Sequence, residues 1–181
     1  MDSVKNEERI EPYILLFPTG CLLGFLGLVF WIFFQLGWIQ FYPRALHGNL
    51  MFFGFLWSFV AGFLMTAVPK MTSTSAAHIG EISFAVALVF IQMVLNVRNL
   101  TDISVFVFLM QNAFLLFFVF RRFLVNRKVP FFGFIFLPMA FIQSVLGVAL
   151  YFFYSDRSLF VLLSGEAFIL NLILGLGSRL I

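Results

Sequence analysis

The chain has 181 residues, 62% of them hydrophobic and 10% charged, and a mean hydropathy of +1.07. Soluble domains carry about 25% charged residues, so this composition excludes a water-soluble fold and marks an integral membrane protein. The net charge of +3 is spread over loops between apolar runs, which excludes a nucleic-acid partner, and the single cysteine, Cys21, excludes a disulfide framework.

Residues 1–11 mix Lys5 and Arg9 with Asp2, Glu7, Glu8 and Glu11, and no small-residue cleavage site follows. The first apolar run, 13–37, is therefore expected to be a retained helix rather than a signal peptide. Gly20, Gly24 and Gly27 share one face of it and permit close helix approach, and Pro18 is expected to kink it. The second run, 46–68, opens at His47 and stops at Pro69. The third, 82–97, is short and contains Gln92 and Asn96. The fourth, 103–120, carries Gln111 and Asn112 near its middle. The fifth, 131–154, is expected to kink at Pro138, and the sixth, 159–178, contains Glu166. A helix spans the hydrocarbon in about 20 residues. The expectation is an all-α, polytopic bundle of six transmembrane helices forming a single unit over 1–181, with the lipid bilayer as its solvent. The 29 phenylalanines are read first as lipid-facing positions, with an aromatic lining for a flat cofactor as the alternative.

Loop charge sets the orientation. With the N-terminus inside, Lys5, Arg9, Lys70, Arg121, Arg122, Arg127, Lys128 and Arg179 are internal, and only Arg44, Arg98 and Arg157 are external. Both termini are thus expected to be cytoplasmic, and His47 lies at the outer end of the second helix. Met51 follows it by one turn on the same face.

Ionisable and polar groups within hydrocarbon are costly and persist mostly where they bind or relay something. Glu166, seven residues into the last run, is the clearest such group. It is expected either to orient the His47 imidazole from a second coordination sphere or to act as a protonated bridge to Gln or Asn side chains. His47 itself is either a metal ligand or an interfacial ring, and His78 is expected to be a solvated loop residue on the opposite side. No phosphate-binding glycine loop, nucleophile elbow or catalytic carboxylate pair occurs, so the chain carries no sign of an enzyme's catalytic motif.

The segment His47-Gly-Asn-Leu-Met51-Phe-Phe-Gly54-Phe55 resembles the His-Ala-His-Glu-Met-Leu-Phe-Gly-Phe of the NnrS family, bacterial membrane proteins associated with haem, copper and the response to nitric oxide. Ala61-Gly62-Phe63-Leu64-Met65-Thr66-Ala67-Val68-Pro69 is similar to that family's Ala-Gly-Phe-Leu-Leu-Thr-Ala-Val-Pro, and Leu174-Gly-Leu-Gly-Ser178-Arg179 to its helix-ending Leu-Gly-x-x-Ser-Arg. Aligned on Met51, the family's second His falls on Asn49 and its Glu on Leu50. The resemblance implies a multi-pass protein of the bacterial inner membrane, with haem near the periplasmic face and a role in nitric oxide tolerance or denitrification-linked metabolism. His47 would be the metal ligand, Glu166 its support, Met51 a neighbour and Arg44 a partner for a haem propionate. Copper is the other metal the resemblance brings. A haem ligated on both faces needs a second donor, for which Met93, Met110 or the His47 of a second copy would have to serve; a second copy or a redox partner is the partner the reading allows beside the bilayer. The alternatives are a non-catalytic scaffold or assembly subunit that has lost the family's ligands, and a transporter using Glu166.

Overall fold

In hydrocarbon an apolar run has to satisfy its backbone internally, and the helix is the only single-segment solution. The structure, a computed structural model, describes residues 10–126, 135–154 and 157–177, and every regular element among them is helical. They comprise α1 (Pro12–Gln35), α2 (Arg44–Thr72), α3 (Ile79–Val97), α4 (Thr101–Asn126), α5 (Phe136–Tyr154) and α6, which runs from Arg157 to Gly177. All six are long and apolar enough to cross a membrane. Two contain a π-helical stretch, Leu50–Leu56 in α2 and Val161–Ala167 in α6.

Local chemistry sets the ends. Pro12 opens α1, where its missing N–H removes no helical bond. α2 does not stop at Pro69 as expected. It continues to Thr72, whose hydroxyl donates to the Val68 carbonyl at 2.8 Å, before Ser73 turns the chain out at φ 51°. His78 is exposed but not idle: its Nδ1 accepts from the Gly80 N–H at 3.1 Å while its own N–H donates to Glu81 at 2.9 Å, a reciprocal cap on α3. α4 extends past the expected boundary because Arg121 and Arg122 dock on Glu81, at 2.7 and 3.1 Å, instead of lying in a loop. Residues 131–134 of the expected fifth helix lie outside the described residues. Pro138 falls in the first turn of α5, where its lost N–H costs no intrahelical bond, so the expected kink has no cause there.

The glycine face of α1 is used within the chain. Gly20 meets Ser58 and Phe59, Gly24 meets Phe55, and Gly27 meets His47 and Leu50. α2 answers with Gly54 against Leu23 and Gly62 against Leu16 and Phe17, so the backbones close to a distance no larger residue permits. Further along, α2, α4, α5 and α6 converge on a ring cluster. Phe108 lies 4.7 Å from Phe53, 6.4 Å from Phe160 and 6.2 Å from Phe168, and Tyr151 lies 5.3 Å from Phe160. Phenylalanine therefore serves both surfaces: these rings form the core, while Phe25, Phe117 and Phe153 face outward.

Gln111 is the discordant core residue. It is fully buried on α4, and neither Nε2 nor Oε1 has a hydrogen-bond partner among the described residues. An unsatisfied buried amide costs about 1–3 kcal/mol. Gln111→Leu is thus expected to stabilise the fold by about that amount, read as a higher midpoint in detergent-to-SDS titration.

Candidate functional site

His47 sits in the first turns of α2, half-buried against α1. Its Nδ1 lies 3.1 Å from the carbonyl oxygen of Gly27. A carbonyl can only accept, so Nδ1 carries the proton in the neutral ring and the lone pair is left on Nε2. Among the described residues Nε2 has no hydrogen-bond partner. The contact depends on glycine: a Cβ at position 27 would stand 3.3 Å from Nδ1, tighter than ordinary van der Waals contact. Trp31, one turn along α1, presents its ring edge-on to the imidazole at 6.1 Å, and Tyr42 backs Trp31 at 5.2 Å. The ring is thereby fixed by a hydrogen bond on one nitrogen and by aromatic walls beside it.

The other residues picked out in the sequence are dispersed. Met51 is half-buried within the π-helical stretch, and Arg44 is exposed with no ion pair among the described residues. Glu166 is not joined to His47. Its neighbour Gly165 packs on the Phe52 ring, which sets Glu166 deeper than His47 by about five residues of helix, roughly 7 Å. There it is exposed on the outside of the bundle, with neither a hydrogen bond nor an ion pair among the described residues. The Gly27 carbonyl fills the orienting role expected of it.

Beneath His47 runs a hydrogen-bonded set that the sequence only hinted at. Asn49 donates to Asn96 at 2.8 Å, Asn96 accepts from Ser104 at 2.9 Å, and Gln92 donates to Ser104 at 2.8 Å, tying α2, α3 and α4 together. Deeper in the bundle Trp57 donates to Asn112 at 3.2 Å and Asn112 to Ser144 at 2.6 Å, while Ser164 donates to the Ser144 carbonyl at 2.9 Å. Gln92, Asn96 and Asn112 were visible as polar residues in apolar runs. The serines were not, because a serine in a membrane helix can satisfy itself on its own backbone.

No group of three His, Cys, Asp or Glu side chains converges among the described residues. A copper site needs several nitrogen or sulfur donors, and this donor set does not fit one. A haem needs one axial nitrogen from the chain if its other face is left open. An imidazole held as the Nδ1–H tautomer by a backbone carbonyl is the form in which such a ligand is normally oriented, so His47 fits that requirement.

Fold and site together define a multi-pass, helical membrane protein with a single oriented imidazole at one end of the bundle. The chain belongs to the NnrS family: the family described as NnrS protein matches residues 10–181. No curated protein and no solved structure matches it.

Proposed function

We propose that this NnrS-family protein holds a haem through His47 at one end of the bundle and serves nitric oxide tolerance or denitrification-linked metabolism. The observation that carries the reading is the 3.1 Å contact between His47 Nδ1 and the Gly27 carbonyl. It fixes the tautomer, holds the ring against α1 and leaves Nε2 for the iron. When bound, a haem with one protein ligand supplies an iron position open to a diatomic gas. Trp31 confines the imidazole plane, and Arg44, exposed one turn before His47, would be the residue to pair a propionate. The loop-charge bias supports an orientation with both termini cytoplasmic and the His47 end on the opposite, periplasmic side of the bacterial inner membrane that this reading assigns.

Protein purified in mild detergent from haem-replete cells is expected to show a Soret band. The band is expected to vanish in His47→Ala and to persist in His78→Ala. A colourless wild-type preparation overturns the haem reading.

One observation favours a second reading, a non-catalytic scaffold. Asn49, at the position of the family's second histidine, spends its amide on Asn96 as a link between α2 and α3. The colourless outcome is the one this reading expects.

A further inference from the structure

A cavity of about 330 Å³ lies between the start of α1 and the end of α2, with Pro12 and Pro69 in its walls. That volume is at the lower end for small-ligand sites. It is distinct from the His47 site, from which Thr66 on its wall is separated by roughly 30 Å along α2. Three groups on its lining are acceptors with no proton to give. Thr66 donates its hydroxyl proton to the Gly62 carbonyl at 2.8 Å, so its oxygen presents only lone pairs. Thr72 donates its own proton to the Val68 carbonyl, so in the 2.8 Å contact between Thr72 and Thr74 the Thr74 hydroxyl is the donor. The Thr74 oxygen is thereby also left as an acceptor. The Glu11 carboxylate is the third, and Lys70 lies 3.2 Å from it. The side chains of Lys70 and Glu11 are 65% and 35% exposed. An ion pair so exposed adds little to stability, so it opens readily to a ligand that answers both charges.

We propose that this cavity binds a primary ammonium joined to a phosphate, the headgroup of phosphatidylethanolamine. A primary ammonium carries three donors, which match Glu11, Thr66 and Thr74, and the phosphate beside it meets Lys70. A quaternary ammonium has no N–H and leaves the same acceptors unanswered, so the site discriminates against phosphatidylcholine. The location favours a lipid over a soluble amine. Tyr13 and Ile14, just past Pro12 on α1, are 42% and 50% exposed, and they give acyl chains an apolar face to follow.

The test gives the full chain in mild detergent an equimolar mixture of the two lipids and counts bound lipid by native mass spectrometry. Wild type is expected to retain phosphatidylethanolamine over phosphatidylcholine by about tenfold or more. Glu11→Gln and Thr66→Val are each expected to reduce that preference severalfold. Thr66→Val keeps the shape of the wall and removes an oxygen bonded only within its own helix, so the fold survives it. Arg98→Gln, an exposed cation at the far end of α3, is expected to leave the preference unchanged. Equal retention of the two lipids by wild type overturns the proposal, as does a wild-type preference in both Glu11→Gln and Thr66→Val. Soluble phosphoethanolamine is expected not to displace the lipid at equal concentration. Displacement there would assign the site to a soluble amine and overturn the lipid source.

Discussion

Glu81→Leu is expected to destabilise the bundle by about 3–5 kcal/mol, because it strands a buried guanidinium. Arg122 is 3% exposed, stacks on the Phe118 ring at 3.5 Å and reaches Glu81 at 3.1 Å. Its Nη1 donates to the Phe118 carbonyl at 3.3 Å and its Nε lacks a partner, so among the described residues Glu81 is the one anion that answers the charge. Glu81 also caps α3 through the His78 N–H and holds Arg121, so three contacts go at once. The double variant Glu81→Leu with Arg122→Met is expected to recover most of the loss, since replacing both partners by apolar groups removes the unpaired charge. Midpoints in SDS titration of the two single variants and the double variant measure this directly. Equal loss in Glu81→Leu and in the double variant contradicts the account.

Gly62→Leu should push α1 and α2 apart and cost about 3 kcal/mol, the upper range for overpacking. A Cβ at position 62 would already lie 2.8 Å from Phe17 Cε1 and 3.2 Å from the buried Leu16 Cβ. Phe17 cannot swing away freely, because it stacks on Phe59 at 4.6 Å. Gly48→Ala is the control: a Cβ there meets nothing within 4 Å, so stability should stay within about 0.5 kcal/mol of wild type. The same α1–α2 seam positions Gly27 under His47. Gly62→Leu is accordingly expected to weaken any Soret band without altering a ligand. An unchanged SDS midpoint in Gly62→Leu would refute the packing account.

The helix count was legible because hydrophobic length is a direct physical requirement of the bilayer. The glycine face of α1 was legible for the same kind of reason: only small residues allow backbones so close. The orientation of His47 was not, since its partner is a main-chain carbonyl, and every residue in a sequence carries one. Spacing gave the approximate depth of Glu166 but not its direction. It lies in a π-helical stretch, whose extra residue per turn shifts the phase of everything beyond it, and no apolar pattern announces such a stretch. Arg121 and Arg122 looked like a loop anchor because charge in a membrane protein usually marks a loop. Glu81, forty residues earlier, draws them into α4 instead.

The side-chain hydrogen bonds below His47 pass through Trp57, Asn112 and Ser144, and Asn171 donates to Gln143 at 2.7 Å just beyond. The next layer towards Lys70 is Leu64, Met65, Leu115 and Phe118, each at most 1% exposed. That apolar layer polarises less than the hydrogen-bonded set above it, so an applied voltage falls more steeply across the layer than across the set. A full crossing carries about 2.3 kcal/mol per elementary charge per 100 mV. Displacing charge between the His47 end and the Asn112 level crosses only part of the span and so involves only part of that electrical work.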